Sequence, residues 1–158
     1  MVSEYWENFT YSWLERAERQ HVQINDGDRF IWLWIAFNGW MRGKFGERVK
    51  DFSLISNLAT STEYNLIYKG LQNNQPDFKQ LLNQLHRYEV IDMGHPDDPT
   101  RIKRYDDSFL SLLNVLYQVR CNLFHGRKNP EEDNKDFELV VLSYKILLPL
   151  FKAFLGYN

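Results

Sequence analysis

Three side chains that can handle a phosphate group lie close together in the chain: Arg120, Asn122 and His125. Arginine is permanently charged and can hold two phosphate oxygens at once. Histidine can give or take a proton near neutral pH, and the end of a helix favours its charged form. Together, these residue types are suited to act on a phosphodiester bond without a metal ion.

The spacing of Arg120 and His125 sets a condition on the local structure. Positions five apart on a straight α-helix differ by about 140°, so the two side chains share a site only if the helix ends between them. Gly126 follows at once and is a plausible residue for that ending. The alternative is that both side chains only satisfy the last carbonyl groups of the helix, and the spacing alone leaves both interpretations open.

Other residues could support this pair. Arg127 and Lys128 follow it in a charged loop and could extend a phosphate track, although exposed loop charge is the alternative. Asn38 is the polar exception on a strongly apolar segment and must find a partner there. It either satisfies its neighbours in a helical bundle or orients the site from behind. Cys121 is expected to be a buried thiol.

The elements that must position these residues are helical in pattern, and no period-two strand pattern is present. The second segment is apolar nearly all round, which places it at the centre of a bundle. Ser3 is expected to cap the first helix, and Asp106 or Asp107 the sixth. The predicted helices are Ser3–Val22, Arg29–Met41, Asp51–Leu58, Thr62–Leu71, Pro76–Arg87, Tyr105–Leu123 and a last one from about Asp133 to Leu155.

Further features refine this all-α prediction. Tyr5, Trp6, Phe9, Trp13 and Ala17 form one apolar stripe on the first helix, and Gly43 and Gly46 should end the second. The last helix is apolar over so wide a face that it is either central or shared with a second copy of the chain. Pro149 should kink it. The stretch 91–100, with one glycine and two prolines, should be an irregular excursion within a single domain, 1–158.

Composition limits the possible functions. A net charge of −2 gives no overall basic surface, so nucleic acid would have to be bound by a local patch. The single cysteine excludes an intramolecular disulfide and a cysteine-rich zinc site. His21, His86 and His95 do not pair with carboxylates at metal-ligand spacing, so we expect no metal and no cofactor. Without a signal sequence or an apolar span, the protein is expected to be soluble and cytoplasmic, with no membrane partner.

The segment V-R-C-N-L-F-H-G, residues 119–126, followed by a charged loop and a long apolar helix, resembles the Arg-x4-His signature of the HEPN superfamily. These are small all-α domains of prokaryotic toxins, abortive-infection systems and eukaryotic RNases. W-I-A-F-N-G-W, residues 34–40, resembles the buried helix of the branch that carries Phe-Asn there. The resemblance implies a HEPN-like helical bundle with a variable helical and loop region inserted in the middle.

The same resemblance implies a metal-independent endoribonuclease of a toxin–antitoxin, abortive-infection or related defence system. His125 would serve in acid–base catalysis and Arg120 would stabilise charge on the phosphate, while Asn122 would position the phosphate or the imidazole. Cys121 stands where many members have a polar residue. Arg127 stands where members silenced by nucleotide transfer carry a tyrosine, so that mode of regulation is not expected.

The partners implied are RNA, a second copy of the chain with the two motifs facing each other, and an antitoxin or sensor protein. Two other classes of function stay open on the sequence. One is a non-catalytic module that binds RNA or a nucleotide through the same basic pair. The other is a purely structural dimerisation domain. Cleavage that depends on Arg120 and His125 would distinguish the nuclease from both.

Overall fold

The computed structural model describes residues 3–18, 26–124 and 134–157. Within these ranges the chain is helical, which confirms the all-α class. A short 3-10 turn, Pro99–Arg101, and an isolated antiparallel bridge between Val90 and Lys103 lie between the fifth and sixth helices. The helices are α1 Glu4–Glu18, α2 Asp26–Phe45, α3 Asp51–Ala59, α4 Thr62–Asn74, α5 Pro76–Leu85, α6 Phe109–Phe124 and α7 Asn134–Phe154.

Helix α2 lies at the centre of the bundle, as its all-round apolar sequence predicts. It packs against α1, α3 and α7, and its side chains Phe30, Leu33 and Phe37 are fully buried. Gly39 allows the close approach of α1, because a Cβ atom there would lie 2.4 Å from a ring carbon of Phe9. The central position of α2 therefore depends on a small residue on the side that faces α1.

Helix α7 is the second central element. Its apolar side chains are buried against the rest of the same chain: Leu139, Val140, Leu142, Ile146, Leu147, Leu150, Phe151 and Phe154. Glu138, Lys145 and Lys152 are spaced by seven residues and therefore share one polar strip of α7. Glu138 and Lys145 face outward, and Lys152 forms an ion pair with Glu18 at 3.4 Å. Of the two alternatives for this wide face, the structure therefore shows a central helix. Pro149 lies inside α7, and the expected kink stays a prediction.

The ends of α2 and α6 differ from those predicted. Helix α2 continues through Gly43 and ends before Gly46, whose φ of +129° is the conformation that favours glycine. The cap of α6 is Ser108, because its Oγ accepts a hydrogen bond from the backbone N–H of Ser111 at 3.1 Å. Asp106 supports this cap by accepting from the Ser108 backbone N–H at 3.0 Å. The prediction of Gly43 as a terminator and of an aspartate cap was therefore wrong.

Helix α1 begins as expected, since the Ser3 Oγ accepts a hydrogen bond from the Trp6 backbone N–H at 3.4 Å. Its predicted apolar stripe is only partly correct. The buried side chains are Thr10, Leu14 and Ala17, whereas Tyr5 is 64% exposed. The rings of Trp6 and Phe9 contact each other along the edge of the helix, while Phe9 also lies against Gly39 of α2 and Trp13 packs against the core.

Candidate functional site

Arg120 lies near the end of α6, and its side chain is directed toward the start of α3. The side chain is 24% exposed, and its Nη2 lies 3.8 Å from Oδ2 of Asp51. Its guanidinium carbon sits 4.4 Å above the ring of Phe124 and 5.8 Å from that of Tyr117. Its Nη1 also donates a weak hydrogen bond to the Cys121 sulfur at 3.7 Å. Aromatic rings on its own helix therefore hold this cation in place.

Asp51, the first residue of α3, joins Arg120 to α2. Its Oδ1 accepts hydrogen bonds from Arg42 Nη2 at 2.7 Å and from Asn38 Nδ2 at 3.1 Å. Asn38 Oδ1 in turn accepts from Arg42 Nε at 2.9 Å. We call Asn38, Arg42, Asp51 and Arg120 the Asp51 cluster. It contains two guanidinium groups and one carboxylate, so the site is positive although the whole chain is not.

Arg42 also fixes the connection between α2 and α3. Its Nη1 donates to the backbone carbonyls of Glu47 and Val49, each at 2.9 Å. Asp51 follows Val49 by two residues, so this contact sets where α3 begins. Arg42 therefore holds both the loop and the Asp51 carboxylate, and in this way positions that carboxylate opposite Arg120.

The Arg120 guanidinium keeps hydrogen-bonding capacity that this arrangement does not use. Its distance of 3.8 Å from the Asp51 oxygen is longer than a hydrogen bond, whereas Arg42 pairs with the same carboxylate at 2.7 Å. The Arg120 Nε is buried, and within residues 3–18, 26–124 and 134–157 it has no hydrogen-bond partner. Arg42 therefore carries the close ion pair, which leaves the terminal Nη2 of the partly exposed Arg120 for an anion, whereas the buried Nε is out of reach of one.

Tyr117 forms one wall of the site. Its ring centroid lies 6.0 Å from that of Trp34 in the core. Burial, and after it the neighbouring Cys121 and Asp51, raise the pKa of its hydroxyl to about 12, while Arg120 offsets part of this effect. Tyr117 is therefore protonated at neutral pH, where it can donate a hydrogen bond but cannot serve as a base.

Asn122 is directed away from the Asp51 cluster. Its Nδ2 donates to the backbone carbonyl of Ile91 at 2.8 Å. Its Oδ1 accepts from the Met93 backbone N–H at 3.1 Å and from Gln118 Nε2 at 3.0 Å. The side chain is 7% exposed. These contacts tie the irregular segment after α5 to α6, which favours a structural task for Asn122 over contact with a phosphate.

His125, Arg127 and Lys128 lie outside the described residues, so their predicted roles stay predictions. The sequence places His125 directly after Phe124, whose ring packs on Arg120 and is 40% exposed. Of the remaining predicted site residues, the structure brings Asn38 and Arg120 into one cluster and separates Asn122 from it.

The described histidines lie away from the Asp51 cluster. His86 Nε2 is 2.8 Å from Asp107 Oδ1, and His95 Nδ1 is 3.3 Å from Asp92 Oδ2. Across the part of the chain that the structure covers, no three His, Cys, Asp or Glu side chains are grouped as metal ligands. None of the helices built from these residues is both long and apolar enough to cross a bilayer.

Sequence reasoning missed Arg42 and Asp51. A signal for the first was present, since Asn38 and Arg42 are four residues apart and therefore share one face of α2. The pairing with Asp51 required knowledge of how the loop between α2 and α3 folds. No protein-family model, curated protein or solved structure matches this chain, so its function has to be inferred from the geometry of the site.

Proposed function

We propose that this protein is a HEPN-like, metal-independent endoribonuclease of a toxin–antitoxin, abortive-infection or related defence system, acting in the cytoplasm. The observation that carries the proposal is the state of Arg120. Its guanidinium is held by aromatic rings near the end of α6, in a cluster with one surplus positive charge, and its Nη2 lies 3.8 Å from Asp51, beyond hydrogen-bond distance. The order of helices and the Arg-x4-His spacing support the same assignment.

In the proposed reaction the ribose 2′-oxygen attacks the adjacent phosphorus and the bond to the 5′-oxygen of the next nucleotide breaks. His125 removes the 2′-hydroxyl proton or supplies a proton to the departing 5′-oxygen. Arg120 donates to the non-bridging oxygens, where negative charge increases in the transition state. The products are a 2′,3′-cyclic phosphate and a 5′-hydroxyl, so no metal-bound water is required.

The rest of the Asp51 cluster has a positioning task in this proposal. Asp51 attracts Arg120 toward α3, but its closer pairing with Arg42 limits how strongly it neutralises Arg120. Asn38 fixes the orientation of both partners from α2. A phosphate approaching Arg120 therefore meets a cation that is oriented and still incompletely paired. Arg127 and Lys128 would extend the phosphate track from the adjacent loop.

A homodimer with facing motifs is part of the proposal, as is control by an antitoxin or sensor protein. The wide face of α7 is already covered within one chain, so the dimer would need another surface. Phe52, directly after Asp51, is 74% exposed, and Phe124 beside Arg120 is 40% exposed. Two exposed aromatic rings at the edge of the site would be buried if two copies met there.

The decisive experiment is cleavage of an end-labelled RNA in EDTA by the wild type and by Arg120→Ala and His125→Ala. We expect a loss of about 10²–10⁴-fold for His125→Ala and about 10²–10³-fold for Arg120→Ala. His95→Ala and Arg104→Ala are matched controls, because both side chains are exposed and, among the described residues, they contact the surface carboxylates of Asp92 and Glu89. Both controls should cleave like the wild type.

Three outcomes decide the proposal. Wild-type products that end in 2′,3′-cyclic phosphate, absent from both site variants, would support it. Equal cleavage by all five proteins would point to a contaminating nuclease and contradict it. Salt-dependent RNA binding that needs Arg120, with no cleavage, would establish the non-catalytic binding module instead. Sedimentation of the same samples tests the dimer, which a monomer at the assay concentration contradicts.

A further inference from the structure

A polar groove runs between α5 and α7, formed by residues outside the Asp51 cluster. It encloses about 700 Å³, within the range of sites that hold small molecules or short chain segments. The wall from α5 carries carboxamide side chains at Gln80, Asn83 and Gln84, and the wall from α7 carries Phe137 and Lys145. Spacings of three and four residues place the three amides on one face of α5.

The charges on the two walls are not balanced. Arg87 lies in the turn directly after α5, and Lys145 lies on α7; both line the groove. Both are exposed, and neither forms an ion pair with another residue in the structurally described ranges. Among the described lining residues, the one carboxylate is that of Glu138, which accepts a hydrogen bond from the Tyr88 hydroxyl at 3.3 Å. These described residues together carry one surplus positive charge, with cations on both sides of the groove.

The remaining groups suit unpaired bases. Tyr88 is half-buried and Phe137 is 38% exposed, so both offer part of a ring face to the groove. Aromatic rings stack on bases of any type, and carboxamides can both donate to and accept from the edges of bases. A groove for an amphipathic peptide helix would instead present a broad apolar floor. Of the described residues that line this groove, only Val141 and Leu142 are aliphatic.

We propose that this groove binds a single-stranded segment of RNA, with Arg87 and Lys145 on its phosphates and Tyr88 and Phe137 against its bases. The inference rests on the proposed function, because it adds to it a second contact region for the same substrate. In this proposal α5 and α7 hold the RNA strand, and Arg120 on α6 takes part in its cleavage.

The test measures binding of a fluorescein-labelled, single-stranded 2′-O-methyl oligonucleotide of about eight nucleotides by fluorescence anisotropy. Methylation of the 2′-oxygen prevents attack on phosphorus, so binding is measured without cleavage. We expect the double variant Arg87→Gln/Lys145→Gln to lose about tenfold or more in affinity. For this variant, the slope of log affinity against log salt concentration should become less negative by about 1.4, since each of the two lost phosphate contacts on a single strand contributes about 0.7.

Lys69→Gln/Lys79→Gln is the matched control. Both lysines are exposed, Lys79 lies on α5 itself, and neither lines the groove, although their replacement removes the same charge. The salt slope of this control should equal that of the wild type. Glu138→Gln should bind more tightly than the wild type, because it removes a negative charge beside the strand. A general loss of folding cannot produce that opposite result, and thermal melting of each variant checks folding directly.

Equal salt slopes for the two double variants would overturn the groove proposal, as would a wild type that does not bind the oligonucleotide. Binding of polyglutamate in preference to the oligonucleotide would assign the groove to an acidic peptide and also overturn it. Parallel cleavage of unmodified RNA separates this inference from the proposed function. If cleavage depends on Arg120 but the Arg87→Gln/Lys145→Gln variant binds the oligonucleotide like the wild type, only the groove proposal is refuted. Groove-dependent binding without cleavage refutes the nuclease alone.

Discussion

Arg42 is expected to be one of the most important polar residues for stability, although it is not a predicted catalytic group. It donates hydrogen bonds to Asn38, to Asp51 and to the carbonyls of Glu47 and Val49, at 2.7–2.9 Å. A hydrogen bond contributes about 0.5–1.5 kcal/mol net, and about 1.5–3 kcal/mol when a charged group takes part. The side chain is 25% exposed, so water replaces part of what is lost. We therefore expect Arg42→Ala to reduce the free energy of unfolding by about 2–3 kcal/mol.

The measurement is urea unfolding followed by tryptophan fluorescence and by circular dichroism, with Arg48→Ala as the control. Arg48 is exposed on the same loop and has no partner among the described residues, so its replacement should change stability by less than about 0.5 kcal/mol. The slope of unfolding free energy against urea should be equal for all three proteins, which makes the midpoints comparable.

The double variant Arg42→Ala/Asp51→Ala identifies the source of the effect. If the two side chains act on each other, the double variant should be more stable than the sum of the single effects predicts. An Arg42→Ala protein as stable as Arg48→Ala would refute the reasoning. It would mean that the hydrogen bonds between α2, the loop and α3 contribute nothing net to the folded state.

Two other predictions concern the elements around α6. Asn122→Ala should reduce the unfolding free energy by about 2–3 kcal/mol, because it removes two hydrogen bonds between a buried side chain and the backbone of the segment after α5. Hydrogen exchange of the Met93 amide should quicken, and an unchanged exchange rate would contradict this. Hydrogen bonds from Ser108, and after them from Ser111, lower the pKa of the Asp106 carboxyl below its ordinary value of 3.8 in the folded protein. The ionised carboxylate therefore stabilises the fold fully above pH 3.8, and this stabilisation is lost as the pH falls through the lower pKa of the folded state. Asp106→Asn should thus be less stable than the wild type at neutral pH and approach it in acid, and urea midpoints that differ equally at both pH values would contradict this.

Most of the fold could be predicted because apolar periodicity reports burial directly. The central position of α2 follows from its wide apolar face, since Trp34 and Ala36 are both buried although they lie about 160° apart around the helix. Helix ends were less predictable, because they depend on local backbone geometry. Gly43 and Gly46 look equivalent in the sequence, yet only Gly46 has a positive φ.

The candidate site was predictable only in part. Arg120 was chosen because its residue type suits phosphate, and Asn38 because a polar residue on an apolar helix needs a partner. The partner, Asp51, lies 13 residues from Asn38 across a loop, and no pattern within one helix could identify it. For Asn122 the sequence was misleading. Its residue type and its position beside Arg120 predict a role at the phosphate, whereas its side chain forms hydrogen bonds with the backbone of a segment 29–31 residues earlier.

The burial of α7 at the centre of the bundle has a consequence for synthesis on the ribosome. The last described helix supplies fully buried core residues such as Ile146 and Phe151, and Tyr144 donates a hydrogen bond to the carbonyl of Ala17, 127 residues earlier. A nascent chain that has not yet exposed α7 therefore keeps the apolar face of α2 that packs against α7 without its cover. Contacts of such long range are also entropically costly to form early. The bundle, and with it the Asp51 cluster, should become stable only after α7 has left the exit tunnel.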